Sequence, residues 1–201
     1  MAVQADGTRE CLPLCATMSS VASQAEFDRT AVVEELEGAR LTFHRLVDGA
    51  SPSDLERPST GTRWNNRQLL FHMLIGYLVV WSLVPLLHLF SRLPPQASER
   101  YAALLNRAER PFNSINYWST CLGAAFYRPD RMKTTFDRVI ASLQRRVRAE
   151  DDNNLARGMH YPTRWDPFFK TFMTLADVYR YPTQHFRFHE AQLTLPGPAE
   201  G

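Results

Sequence analysis

The stretch "LLFHMLIGYLVVWSLVPLLHLF", Leu69 to Phe90, contains no Asp, Glu, Lys or Arg, yet it carries two histidines and a proline. It is either a membrane span or the central helix of a packed bundle, and the choice decides the fold. Length permits a span, since about 20 residues at 1.5 Å rise cover the hydrocarbon core. His72, His88 and Pro85 are costly or awkward in lipid, and no other segment approaches the same apolarity. Arg67 and Arg92 flank the two ends and give no orientation signal. A helix apolar on every side fits the middle of a bundle, its outer face covered by a connecting segment or a second copy. We therefore read it as a buried helix, with no membrane partner.

Outward from this stretch the chain reads as helices divided by proline-rich breaks. A first helix is predicted from Gln24 to Val47, with Phe27, Val32, Leu36, Ala39, Phe43 and Leu46 at helical spacing. "DGASPSDLERPSTGTRWNN" is a connector rich in turn formers, and the second helix begins near Trp64. "RLPPQASER" ends it, and residues 97–127 read as shorter helical pieces broken at Pro111. A third long helix starts at "RPDRMKTTF", with Pro129 and Asp130 in its first turn, and reaches about Glu150. "DDNNLARGMHYPTRW" reads as loop. The last helix is predicted from Asp166 as N-cap and Pro167 as first helical residue, to about Leu193, kinked or broken at Pro182. No period-two strand pattern persists. Four long helices with one long middle connection describe an all-α four-helix bundle. The domain is placed at residues 23–195, between a flexible leader at 1–22 and a tail at 196–201.

A net charge of +2 gives no electrostatic case for nucleic acid. The arginines of "LQRRVRAEDDNN" are followed at once by acids and read as a solvated helix end. Lys133 and Lys170 are the only lysines, an arginine bias pointing to a GC-rich genome. Cys11, Cys15 and Cys121 form no C-x-x-C pair, which favours a reduced, cytoplasmic protein. The first residues lack the basic start and apolar run of a secretory signal.

Of the six histidines, His185 and His189 are spaced i, i+4 in "YRYPTQHFRFHEAQL" and share one helix face, close enough for one metal ion. Spacing alone is met as well by a helix surface without a ligand. His72 is the best candidate for a third ligand, because a neutral imidazole in an apolar helix needs a partner to offset its desolvation. His88 lies about 160° around the same helix and cannot share that site. For His88 a hydrogen-bonded core or interface role is enough, and His44 and His160 have no spacing argument. Tyr181 and Gln192, four before His185 and three after His189, approach the same face and are candidates to orient a ligand or water, with a core-aromatic role preferred for Tyr181. Glu190 should point away from it by about 100°.

"TRWNNRQLLFHMLIGYL" resembles the second-helix signature of the DinB-like superfamily, in which a Trp precedes an apolar turn and a histidine. "HFRFHEAQL" resembles the last-helix signature, H-x-x-x-H followed by Gln and an aliphatic residue. The resemblance covers roughly Phe27 to Leu195 and is specific at these two motifs. It implies an up-down-down-up four-helix bundle with a long crossover between helices 2 and 3. It also implies a divalent metal, zinc or nickel foremost, held by His72, His185 and His189, with Trp64 as a packing residue. Pro182 departs from the pattern and puts the orientation of the ligand pair in question.

Three neutral imidazoles leave a coordination position for a small-molecule substrate or water, the pattern of catalytic rather than structural sites. The superfamily implies a low-molecular-weight thiol as co-substrate, for S-transfer or for isomerising an unsaturated keto acid, and the arginine bias makes mycothiol the natural choice. The rival reading is a non-catalytic metal-binding or dimerising bundle. No catalytic residue is assigned, and a homodimer is expected from the all-round apolar second helix.

Overall fold

The computed structural model describes residues 27–196. The predicted leader, the first residues of the predicted first helix, Cys11, Cys15 and all but the first residue of the predicted tail lie outside the described residues. Four long helices make the frame: α1 (Arg29–Asp48), α3 (Asn66–Phe90), α6 (Pro129–Ala149) and α8 (Leu175–Glu190). Between α1 and α3 lies the short α2 (Pro52–Glu56), and the crossover from α3 to α6 is built of α4 (Pro95–Arg107) and α5 (Glu109–Phe126). From α6 the chain passes through α7 (Asp152–Ala156) and the strands β1 (Gly158–His160) and β2 (Phe172–Thr174) into α8.

Side-chain pairs fix the directions of the frame. Arg29 at the start of α1 reaches Asp152 just past the end of α6, and Lys133 early in α6 reaches Asp48 at the end of α1, so these two run antiparallel. His88 near the end of α3 bonds Glu150 at the end of α6, so α3 and α6 run parallel. Asn66 at the start of α3 bonds Thr194 just past α8, so α3 and α8 are antiparallel. The path is up-down-down-up, and the extended crossover exists because two parallel neighbours cannot be joined by a tight turn.

The frame closes over one aromatic from each long helix. Phe43, Tyr77, Phe136 and Phe186 are all within 1% of complete burial. Phe43 stacks on Phe136 with centroids 4.3 Å apart, and Tyr77 meets Phe136 edge-on at 4.9 Å. Truncating one such ring to Ala costs about 3–5 kcal/mol.

The apolar α3 is the helix shared by the frame and the crossover. By length and composition it is the one helix among the described residues that could cross a membrane, yet 56% of its most apolar window is buried inside the bundle. Its start is set by a capping box: Asn65 accepts from the Gln68 N–H, and the Gln68 side chain accepts from the Asn65 N–H. Pro85 has no N–H to give the Trp81 carbonyl, and the Arg146 guanidinium donates to that oxygen instead, at 2.6 Å. α5 packs onto α3 at Gly123, where a Cβ would lie 2.0 Å from the Phe71 ring.

The structure corrects several expectations about the elements. Asp166 and Pro167 do not open the last helix. The Asp166 side chain accepts from the Phe168 N–H in a turn, and α8 begins at Leu175 behind a Thr174–Asp177 capping box. Of the intervening residues, Phe172 to Thr174 pair in an antiparallel ladder with Gly158 to His160, too short for a period-two pattern to register. α2 and α7 fall in segments expected to be turns and loop. Pro111 does not break a helix: the break is at Ala108, and Pro111 sits in the first turn of α5, where its missing N–H is not needed. α8 continues through Pro182 without a break.

Candidate metal centre

Because α3 and α8 are antiparallel, the second turn of α3 lies beside the last turn of α8. His72 therefore meets His185 and His189. The tail after α8 locks this register. Asn66, completely buried, donates to the Asp54 carbonyl and accepts from the Thr194 N–H at 3.0 Å, and the Thr60 N–H donates to the Gln192 carbonyl at 2.8 Å. All three histidines are buried, and one nitrogen from each ring lies within 4.8 Å of the other two. The Nε2 atoms of His185 and His189 are 3.2 Å apart. Two nitrogens held at Zn–N distances of about 2.0–2.1 Å in a tetrahedral shell stand about 3.3 Å apart, so this pair has the spacing an ion requires.

The other ring nitrogens decide which lone pairs are free. His189 Nδ1 lies 2.7 Å from Gln192 Oε1, an acceptor, so Nδ1 carries the proton and Nε2 presents its lone pair. His72 Nδ1 lies 3.4 Å from the buried Thr120 hydroxyl, a longer contact that accommodates the same tautomer. His185 Nδ1 is buried without a partner, against Gly76, where a Cβ would lie only 2.9 Å away. Only a residue without a side chain admits the ring at that depth.

Burial holds all three imidazoles neutral. Desolvation, then the neighbouring His189, pushes His72 down to about 3. Desolvation, then His72 and His189, holds His185 well below the ordinary histidine value. His189 is lowered by burial, partly opposed by its bond to Gln192 and by Asp166. Three neutral imidazoles, with two Nε2 atoms already at ligand spacing, are a donor set that fits a divalent cation.

Asp166, missed as a site residue from sequence because its Asp-Pro pair reads as a helix start, stands beside the cluster. Its Oδ2 is 3.7 Å from His185 Nε2, too long for a hydrogen bond, and with a neutral imidazole it is no ion pair. The Tyr181 hydroxyl donates to the same oxygen at 2.8 Å, and the Phe168 N–H donates to Oδ1 at 2.8 Å. Tyr181 thus engages Asp166 rather than a histidine, while Gln192 bonds His189 directly. No periodicity or spacing signal in the sequence pairs Asp166 with α8, because the β1–β2 connection delivers it. Trp64 packs its ring on His72 with centroids 4.4 Å apart.

The three histidines line a cavity of about 430 Å³, walled by α3, the crossover, the β1–β2 connection and α8. The remaining histidines are elsewhere, each with its own partner: His44 on Asp137 at 2.7 Å, His88 on Glu150 at 3.1 Å and His160 on Ser98 at 3.1 Å.

An up-down-down-up bundle with three imidazoles buried at the crossing of its second and last long helices defines the class of protein. The family model described as the DinB superfamily matches residues 35–193, and the chain belongs to that superfamily. Among solved structures it is similar to YfiT from Bacillus subtilis, "a probable metal-dependent hydrolase with an unusual four-helix bundle topology". The two are 15% identical, the TM-score is 0.61, and the match covers 86% of this chain and 87% of that one. No curated protein matches the chain.

Proposed function

We propose that this protein is a divalent-metal-dependent enzyme whose ion, zinc or nickel foremost, is held by His72, His185 and His189. The observation that carries the reading is the buried cluster itself: three neutral rings, one nitrogen of each within 4.8 Å of the others, lining a cavity. Burying imidazoles without partners is costly, and the unpaired Nδ1 of His185 shows that hydrogen bonding within the protein does not compensate it. When bound, the ion supplies Lewis acidity that lowers the pKa of a thiol or water.

The reaction we propose is transfer of a low-molecular-weight thiol, mycothiol or a similar compound, to a small electrophile, with isomerisation of an unsaturated keto acid as the other thiol-dependent outcome. YfiT is described as a probable metal-dependent hydrolase, and a hydrolytic reaction in this chain would take water in place of the thiol. The chain's own residues serve either nucleophile. Gln192 holds the His189 tautomer, Gly76 admits the His185 ring, and Asp166 Oδ2, fixed by Tyr181, is an acceptor for a proton beside the cluster. Three cysteines without a C-x-x-C pair support a cytoplasmic location, and exposed apolar residues on α5 support a homodimer.

The test is elemental analysis of untagged protein followed by a thiol-transfer screen against aryl and epoxide electrophiles. About one divalent ion per chain and metal-dependent loss of free thiol are expected. A tightly held ion with no turnover of thiol or ester would instead favour the non-catalytic metal-binding bundle. No ion and unchanged stability in chelator would remove the metal reading altogether.

A further inference from the structure

Beyond the histidines, the cavity wall is mostly apolar, with Tyr101, Asn116 and Tyr161 adding neutral polar groups. α3 contributes Ile75, Val79, Leu83 and Leu86, and the crossover contributes Leu105 and Phe112. The β1–β2 connection adds Trp165, Phe168 and Phe169. Among the described residues no lysine or arginine lines the cavity, and Asp166 is its one acidic side chain. Two of the polar groups in this wall are turned to other partners. Trp165 donates its indole N–H to the Leu105 carbonyl at 2.8 Å while its ring stacks on Phe112, centroids 3.9 Å apart. The Tyr181 hydroxyl is bonded to Asp166. The connection is thereby clamped against α4 and α5, with Trp165, Phe168 and Phe169 lining the cavity.

We infer that the substrate body occupying this cavity is an uncharged, largely apolar molecule, aromatic or branched aliphatic, with one polar reactive end directed at the histidines. This rests on the proposed function and narrows it to thiol transfer onto an apolar electrophile. An anionic body entering here loses its hydration and finds no cation along the wall, with the Asp166 carboxylate facing it. A small keto acid carrying two carboxylates could satisfy one charge at a metal and would leave the other in an apolar wall. Apolar bodies gain by burial against the leucines and aromatic rings.

Two probes of one skeleton separate the cases: 1-naphthalenemethanol, neutral, and 1-naphthoate, anionic. Titration calorimetry on the full chain, as purified and after chelation, measures both. In chelated protein the alcohol is expected to bind at least about tenfold more tightly than the carboxylate, because only the latter must shed a charged hydration shell. Asp166→Asn should narrow that gap by improving naphthoate binding. Equal or tighter binding of naphthoate to chelated protein, or no binding of the alcohol, overturns the inference. The outcome is independent of the metal reading: a protein that takes up no ion but prefers the alcohol keeps this inference and loses the proposed function. One that takes up an ion but, when chelated, prefers naphthoate does the reverse.

Discussion

The bare Cα of Gly76 faces the Nδ1 of His185 so closely that a Cβ there would stand 2.9 Å from the nitrogen. Gly76 lies inside α3, where a glycine costs about 1 kcal/mol relative to alanine through its backbone freedom. Gly76→Ala therefore gains helix propensity and pushes the His185 ring off its position. Metal affinity is expected to fall on the order of tenfold or more, as when a group that orients a ligand is altered. The unfolding free energy from urea denaturation in chelator should hold within about 1 kcal/mol, since helix propensity offsets the crowding. Competition with a chromophoric chelator reads the affinity. Unchanged affinity in a folded variant would mean that the ring position does not matter to the ion.

The histidines divide into two groups with different expected consequences. His72→Ala, His185→Ala and His189→Ala should each abolish stoichiometric metal in untagged protein, while His88→Ala, remote and paired with Glu150, should retain it. Inductively coupled plasma analysis on the four variants settles the assignment. Full occupancy in either α8 variant would remove that residue from the ligand set.

Much of the frame was legible because it rests on periodicity and caps. α3 and α6 start within a residue or two of where Trp64 and Pro129 place them, and the buried positions Val32, Leu36, Ala39 and Phe43 of α1 follow the predicted spacing. The candidate triplet was legible as a set of positions, because two of its members share a helix face. The start of α8 was misread because Asp-Pro is chemically as good a turn as it is an N-cap, and pairing with β1, remote in sequence, decides between them. For the same reason Asp166 was invisible as a site residue. Gly76 too gave no signal, since its role is defined by a ring 109 positions later and not by its own helix.

Gln192 is expected to act on the metal through His189. Gln192→Leu removes the acceptor at 2.7 Å from His189 Nδ1 and keeps similar volume. The unpaired Nδ1 proton then competes for the wrong tautomer, and affinity should fall about 10–100-fold, with Gln192→Glu restoring an acceptor. Equal affinity in the Leu and Glu variants would show that Gln192 is a packing residue only.

Stability of the chelated protein should fall in acid. An unfolded histidine titrates near 6.5, whereas His72 is held down to about 3 and His185 and His189 are also lowered in the fold. Above about pH 6.5 both states are neutral at these rings and stability is complete. As pH falls below that value the unfolded chain takes up protons that the native chain refuses, so stability is lost progressively toward the native values. Each ring contributes a slope of up to about 1.4 kcal/mol per pH unit. Urea denaturation at pH 8, 6 and 5 measures this, with a His72→Gln, His189→Gln double variant as the shallower control. A pH-independent midpoint between 8 and 5 would mean that the rings are solvated in the native protein.

Self-association is expected through α5. Ile115, Trp118, Leu122 and Phe126 recur at helical spacing along it, with exposures of 67, 62, 58 and 77%, so the apolar row faces away from the bundle. The all-round apolar α3, from which a dimer was expected on sequence grounds, still exposes Val79, Trp81 and Leu89, but these form no continuous row at helical spacing. The α5 row is the better candidate for an isologous contact, where each residue meets its counterpart across a two-fold axis. Sedimentation velocity at micromolar concentration should give a dimer, and Trp118→Glu with Leu122→Glu should give a monomer that keeps its metal, because neither residue lines the cavity. A monomer in the parent protein would remove the dimer, and a dimer in the double variant would place the contact on another face.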